Sequence, residues 1–501
     1  LALGGLEILL AIEIHPPTLF NSLHDLIRMA FPEYELRAGR CGSAQGRIAM
    51  SFVASNDRLL ITGSITMNGK TTQDRQDYEL KTSEPEQSLL IKRWARTFTY
   101  QLICRHLEHN FNPYGILTGV RPVKIVQRFL DEGWDNDHIR SRLETEYLLS
   151  NAKADLLINV ARLNHPSLLS RGEARKKLSI YIGIPFCPSR CYYCSFPGAV
   201  LRDYQLDMVP YMDALLSEMN IIGDFIAGND WQVQTIYLGG GTPTVITDTD
   251  LNRIFTVLHH KYISPATIEI TVEAGRPDTL SPTRLQGLKH VGVNRVCINP
   301  QTMNDDILKL IGRGHNSQMV IDAVEWARSA GVEHINMDLI VGLPGEKREH
   351  FLESVEKVLN LRPDNITVHT LAVKRGSALA EAEGKGNNRE KIAAVEEGVN
   401  SCERLITQAG YQPYYLYRQK YMKAGLENTG YTLPGSACLY NIQMIEERQT
   451  IIGLGGGASS KFVNPSDWSL TSIHNPKDPN RYIKTVEMLS TRKVDKLRAL
   501  N

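Results

Sequence analysis

From Leu178 to Val373 short apolar runs alternate with stretches of helical period, and this alternation constrains the fold more than any other feature. The runs are LSIYIGIPF, VQTIYLGGG, TIEITVEAG, NRVCINPQ, INMDLIVGLP and ITVHTLAV. Between them lie segments such as DYQLDMVPYMDALLSEMNIIGDF and SQMVIDAVEWARSAG. Six β-then-α units with nearly continuous apolar strands predict a parallel sheet covered by helices, because a strand buried on both faces has no polar side to show. The unusual residues decide between a barrel and an open sheet. Three cysteines follow the first strand, Gly239-Gly240-Gly241-Thr242-Pro243-Thr244 the second and Gln301 the fourth, while Glu273 lies on the third and Asp338 on the fifth. In a barrel these C-terminal strand ends meet at one mouth. The fold class read from the sequence is therefore α/β, a partial (β/α)6 TIM-like barrel.

Two further regions flank it. Residues 1–175 are expected to form an N-terminal α+β accessory domain, residues 176–400 the barrel and residues 401–501 a C-terminal extension covering the substrate. RIAMSFVA and RLLITGSITM read as a hairpin, and Asn68-Gly69 supplies the positive φ angles of a tight turn. LLIKRWARTFTYQLICRHLEHN and DHIRSRLETEYLL have helical spacing, and the charged stretch SRGEARKKL (170–178) reads as a linker.

Charge excludes some function classes. Lys plus Arg number 56 against 55 Asp plus Glu, which leaves no global field for nucleic acid or an anionic membrane. No run is long enough to span a bilayer. The opening LALGGLEILLAIEIH lacks a basic start and a small-residue cleavage pattern, so it does not read as a signal peptide. Five of the eight cysteines are scattered singly, which does not suit a disulfide framework and places the chain in a reducing cytoplasm.

The other three, Cys187, Cys191 and Cys194, have C-x3-C-x2-C spacing on one loop. Soft thiolates select zinc, copper(I) or iron–sulfur clusters. A structural zinc site wants four ligands and this loop supplies three. A 4Fe-4S cluster on three thiolates keeps one iron open to a further ligand, while an incomplete zinc loop or three ordinary thiols are the plainer readings. Gly239 to Gly241 follow an apolar strand, where glycines let a ligand approach the backbone or make a plain turn. GLGGGASSK (453–461) matches a dinucleotide pattern but lacks the surrounding βαβ unit, so no dinucleotide site is expected there.

The cysteine triplet, followed in order by YLGGGTPT, EITVEAG, NPQTMNDDILKLIGRGH and NMDLIVGLPGE, resembles the radical S-adenosylmethionine (SAM) superfamily, and within it the oxygen-independent coproporphyrinogen III dehydrogenase group. GILTGVRPVK, YYLYRQKYMKAGLEN and IIGLGGGASSK resemble the HemZ branch of that group. The resemblance implies a radical SAM barrel in which Cys187, Cys191 and Cys194 hold a 4Fe-4S cluster whose open iron takes S-adenosylmethionine. It places Gly239, Gly240, Gly241, Thr242 and Glu273 in the cofactor pocket, Gln301 and Asp338 near the ribose hydroxyls, and Arg313 against the methionine carboxylate. Tyr192 or Tyr193 is expected beside the adenine, and Tyr181 near the reaction centre as a catalytic residue.

The implied chemistry is reductive cleavage of S-adenosylmethionine, then oxidative decarboxylation of two coproporphyrinogen III propionates to vinyl groups. It needs a low-potential electron donor of flavodoxin or ferredoxin type and an unidentified electron acceptor. Lys374, Arg375, Arg418 and Lys420 are candidate partners for the tetrapyrrole carboxylates. Two departures stand out: Phe196 where the better-known dehydrogenases have a further cysteine, and Gly183 where they have a histidine. A haem-binding trafficking protein, another tetrapyrrole-modifying radical enzyme and a structural zinc protein are the alternatives. The N-terminal region shows no recognisable chemistry; it is expected to cover the barrel mouth or recruit a partner.

Overall fold

The computed structural model describes residues 8–55, 57–80, 84–194, 199–201, 208–371, 389–419 and 426–500. The chain divides into two compact units, Leu1–Asn159 and a second comprising Val160–Gly384 and Glu390–Asn501. The division falls inside a helix, Asn151–Asn164, upstream of the charged stretch read as a linker. That stretch is ordered. Ser170 accepts from the Glu173 amide, Glu173 accepts from the Ser170 amide, and this reciprocal cap starts a short helix, Arg171–Ala174, that leads into the first barrel strand.

The first unit carries strands β1 (Leu9–His15), β2 (Glu35–Ala38), β3 (Gly46–Ala54), β4 (Arg58–Met67) and β5 (Lys70–Glu79), in the sheet order β2-β1-β3-β4-β5. The expected hairpin is β3–β4, and Asn68 and Gly69, at φ 50° and 77°, turn the chain into β5. The apolar opening of the chain contributes β1, which pairs in parallel with both β2 and β3. Ile48, Met50, Leu59, Ile61 and Ile65 share one sheet face and pack against helices α1 (Phe20–Ala30) and α2 (Glu84–Leu107). Each such buried side chain contributes about 1.5–3 kcal/mol relative to exposure.

The second unit holds the alternating segment. Its strands are β6 (Lys177–Ile184), β7 (Phe186–Cys187), β8 (Ala199–Val200), β9 (Gln232–Gly240), β10 (Glu269–Glu273), β11 (Arg295–Cys297), β12 (His334–Val341) and β13 (Asn365–Thr370). There follow β14 (Gln412–Arg418), β15 (Glu427–Thr432), β16 (Thr450–Leu454), β17 (Ser459–Val463) and β18 (Leu470–His474). The six expected strands lie side by side in chain order, β6-β9-β10-β11-β12-β13, all parallel, at the centre of an eleven-stranded sheet. Sequential parallel order is barrel topology, and it brings all six C-terminal ends to one side. Beyond β13 come antiparallel β15 and β14; beyond β6 come parallel β16 and then antiparallel β17 and β18. Residues 401–501 thus continue the barrel sheet at both ends.

Ile180, Ile182, Ile236, Leu238, Val296, Met337 and Leu339 are buried in one core with the covering helices. Among the described residues no helix is long and apolar enough to cross a membrane.

Candidate functional site at the strand ends

The cysteine loop leaves β6 at Ile184 and is tied at once to the glycine loop after β9. The Gly241 amide donates to Ile184 O at 2.7 Å and the Thr242 amide to Phe186 O at 2.8 Å. A Cβ on Gly241 would lie 2.5 Å from Phe186 O and 3.0 Å from Cys187 Sγ, so only glycine lets the two loops meet. Thr242 is buried, and its hydroxyl donates to Cys187 Sγ at 3.6 Å. Farther along, the Tyr192 amide donates to Ile311 O and the Cys194 amide to Cys191 O.

Cys191 is buried between two guanidinium groups, Arg276 Nη1 at 3.7 Å and Arg313 Nη1 at 3.8 Å from its sulfur. Arg276, missed in the sequence, is buried, paired with Asp278 at 2.9 Å and bonded to the Ser189 hydroxyl at 3.1 Å. Its signal was its place, directly after the strand end EAG. Arg313 donates through Nη2 to Gly275 O at 2.6 Å and to Asn299 O, which fixes it beneath the cysteine loop.

This donor set fits an anionic iron–sulfur cluster. Burial pushes the Cys187 thiol up, the charges of Cys194 and Cys191 push it further, and Thr242 opposes them. Bound iron would remove that repulsion, and Arg276 and Arg313 would offset the charge that remained. Among the described residues no three His, Cys, Asp or Glu side chains are grouped as for a single ion. Three thiolates that each served a different iron of a cluster would not need that grouping.

Deeper in the mouth, Glu273 Oε1 accepts from the Tyr237 hydroxyl at 2.8 Å and Oε2 from the Gly240 amide at 3.2 Å. A Cβ on Gly239 would come within 3.0 Å of that carboxylate. Burial pushes Glu273 up to about 7; the Tyr237 bond opposes this and Asp338 adds to it. Asp338 goes the other way. Burial raises it, but the neighbouring His369 ring, with Asn336 and Thr367, outweighs burial and holds it below the usual carboxylate range. Two carboxyl groups in one mouth are thus set apart, one poised near neutrality and one ionised.

Gln301 bridges to β12: its amide donates to Asp338 O and its carbonyl accepts from the Ile340 amide, both at 2.9 Å. Its φ of 69° is left-handed, a conformation costing a non-glycine residue about 1 kcal/mol or more, and its buried Oε1 has no partner among the described residues. Asn299 Oδ1 and Arg313 Nε, close by, are also unpartnered. Strain and orphaned polar atoms at the strand ends are what a site awaiting a polar ligand shows.

Tyr181 stacks in a group of three tyrosines. Its ring centroid is 6.1 Å from that of Tyr237 and 6.2 Å from that of Tyr440, and the latter two lie 4.4 Å apart. Tyr440 is placed by β10: Glu269 accepts from the Leu439 and Tyr440 amides at 3.0 Å, capping the helix Leu439–Glu446. Tyr237 and Tyr440 escaped the sequence reading because each looks like a core residue of its own element.

Tyr192 is exposed, whereas Tyr193 packs against Ile307, Leu308 and Leu343. Arg418 is buried, opposite Glu427 in the β14–β15 ladder. Lys374, Arg375, Lys420 and Phe196 lie outside the described residues.

Residues 181–358 match the radical SAM superfamily. Over 485 residues the chain is 34% identical to the "Oxygen-independent coproporphyrinogen-III oxidase-like protein HemZ" of Bacillus subtilis, covering 96% of both chains. The chain belongs to the radical SAM superfamily and, within it, to the HemN/HemZ family. It is also 30% identical to the "Heme chaperone HemW" of Lactococcus lactis, over 60% of this chain and 74% of that one. The structure of Escherichia coli HemN, described as coproporphyrinogen III oxidase and a radical SAM enzyme, aligns with a TM-score of 0.52 at 23% identity, over 66% of this chain and 73% of that one, which supports the fold. Members of the radical SAM superfamily use a 4Fe-4S cluster and S-adenosylmethionine, and the strand-end residues of this HemN/HemZ-family chain fit both.

Proposed function

We propose that this chain is an oxygen-independent decarboxylase of coproporphyrinogen III, converting two propionates to vinyl groups by S-adenosylmethionine-dependent radical chemistry. The observation that carries the radical site is Gln301, strained and with an unpartnered buried oxygen, next to the ionised Asp338 at the same mouth as the cysteine loop. The likeness to HemZ over 96% of both chains supports the substrate assignment.

Cys187, Cys191 and Cys194 would hold the cluster, and Gln301, Asp338 and Glu273 would hold S-adenosylmethionine. Together these groups supply a one-electron oxidant able to take a hydrogen atom from a propionate β-carbon. Asp338, ionised, accepts from paired hydroxyls, and Gln301 can both donate and accept. Glu273, poised near 7, can exchange a proton with a cofactor amine, and the Tyr237 hydroxyl, which donates to it, holds it in place. The tyrosine group around Tyr181 offers an aromatic wall suited to a tetrapyrrole. Per propionate, the balance would be one hydrogen atom taken up by the bound cofactor, one carbon dioxide released, and one electron passed to an acceptor outside the chain. A flavodoxin- or ferredoxin-type protein supplies the low-potential electron.

A haem-binding trafficking role is the second reading. The HemW likeness favours it, and so does Gly183 in place of a histidine, at a position where a Cβ would lie a tight 3.0 Å from Gly456 O. The test is an anaerobic assay of the iron-reconstituted chain with S-adenosylmethionine, a low-potential reductant and coproporphyrinogen III. Loss of two carboxyl groups, absent in Cys191→Ala, is expected. Cofactor cleavage with unchanged tetrapyrrole would discard the substrate and leave haem binding as the reading to pursue.

A further inference from the structure

The first unit, silent in the sequence, contains a cavity of about 670 Å³ between α2 and the loop 116–119. Lys92, Arg93, Arg96, Arg128 and Arg142 line it, and among the described residues no carboxylate does. In a chain whose cations and acids are nearly equal in number, such a concentration of one sign around a concave surface is a focused field.

The acids that approach from behind do not cancel it. Glu146 alone serves both Arg93 and Arg142, the latter at 2.9 Å. Glu132 pairs loosely with Arg128 at 3.8 Å, and both are largely exposed. Lys92 has no ion pair among the described residues. Arg96 is spent on neutral acceptors, Ser22 O at 2.6 Å, Thr118 Oγ1 at 2.9 Å and Ile116 O, with Asp25 felt only at a distance. These bonds fix the Arg96 guanidinium without neutralising it, and they leave the Thr118 hydroxyl its own proton to donate. Arg142 is held by its faces, 5.1 Å from the Phe129 ring and 4.9 Å from the Trp134 ring. Arg142 is thus preorganised as a fork, the geometry that suits carboxylate and phosphate oxygens, while Arg96, its Nη1 and Nη2 already engaged, adds fixed positive charge. Leu90, Ile116 and Leu117 supply an apolar wall to the same cavity.

We propose that this cavity is a binding site for a small organic polyanion, held through two or more phosphate or carboxylate groups with its apolar body against Ile116 and Leu117. The volume lies in the range of small-molecule pockets. Every residue named belongs to the first unit.

The test is calorimetric titration of the full-length, iron-reconstituted chain with two probes, inorganic pyrophosphate and coproporphyrin III tetracarboxylate, at low and at physiological salt. Saturable binding that weakens with salt is expected for at least one of them. It should fall tenfold or more in Lys92→Glu, which breaks no ion pair among the described residues, and in Arg142→Gln, whose fold is checked by circular dichroism. Arg58→Gln, a surface arginine of β4 outside the cavity, should leave it unchanged. Tighter pyrophosphate binding assigns a phosphate ligand; tighter porphyrin binding, displaced by pyrophosphate and lost in Lys92→Glu, assigns a carboxylate one. Absence of saturable binding for both probes, or binding indifferent to Lys92→Glu, would overturn the proposal.

Discussion

At the scale of single residues, Glu273 shows what burying a carboxyl at the strand ends does to stability. Its pKa is raised from about 4.5 to about 7, mainly by burial, so the folded chain prefers it protonated. Its contribution is therefore fully present below about pH 4.5 and is lost as the pH rises through 7, when the folded carboxyl must ionise in a poorly solvated place. A shift of this size is worth about 3 kcal/mol across that window. Glu346 is raised likewise by burial and adds a similar slope. His315, which burial pushes down to about 3, works the other way below its ordinary value of about 6.5, so urea midpoints of the cofactor-free chain should fall most clearly from pH 6.5 to 8, and Glu273→Gln should make that fall shallower. An unchanged slope in Glu273→Gln would mean that the carboxyl is not desolvated. The sequence marked Glu273, Gln301 and Asp338 because polar residues ending apolar strands are conspicuous. It could not mark Arg276, Tyr237 or His369, whose roles depend on neighbours supplied by other strands.

At the scale of elements, the glycine-rich stretch GLGGGASSK, which resembles a dinucleotide loop in pattern alone, is the turn of the β16–β17 hairpin. Gly455 donates its amide to Glu218 Oε2 at 2.7 Å, and a Cβ there would sit 2.3 Å from Gly183 O. Glu218, on the helix Met208–Ala227, and Lys493, on the C-terminal helix Pro479–Arg498, are both fully buried and paired at 2.5 Å. Lys493 also donates to Gly453 O at 2.6 Å and to Asn475 Oδ1 at 2.8 Å, and Tyr482 donates to Glu218 at 2.7 Å. The network fastens both helices and the turn to β6, the strand that launches the cysteine loop. Lys493→Met should cost about 3–5 kcal/mol, read from urea unfolding, because it strands a buried carboxylate; Glu218→Gln with Lys493→Met should recover part of the loss. Equal destabilisation in the single and double variants would mean that packing, not charge, holds the joint. Elements whose pattern is local were legible: the six apolar strands and the Asn68-Gly69 turn. Those that depend on distant partners were not, such as β1 in its parallel place or the strands that extend the sheet beyond β6 and β13.

At the scale of the whole molecule, each unit has a hydrophobic core of its own: one is built from α1, α2 and the first five strands, the other from the barrel and its covering helices. Every residue assigned to the cluster and to S-adenosylmethionine lies in the second unit, and every residue of the polyanion cavity lies in the first. The stretch 170–178, expected as a linker, leads into the first barrel strand, and the division falls within the helix Asn151–Asn164, so the natural place to separate the two proposed sites is ahead of that helix. A chain of residues 151–501 keeps the helix whole. It should bind iron in the same ratio per chain as the full-length protein, cleave S-adenosylmethionine when reduced, and bind neither pyrophosphate nor porphyrin in the salt-sensitive, Lys92-dependent manner proposed for the first unit. Iron analysis, 5'-deoxyadenosine formation and calorimetry read the three outcomes separately. If the shortened chain folds, by circular dichroism, yet loses its iron, then the first unit shapes the cysteine loop. If it keeps iron and cofactor cleavage but no longer decarboxylates the tetrapyrrole, then the first unit takes part in handling the substrate, and the polyanion it holds becomes a candidate for the tetrapyrrole itself.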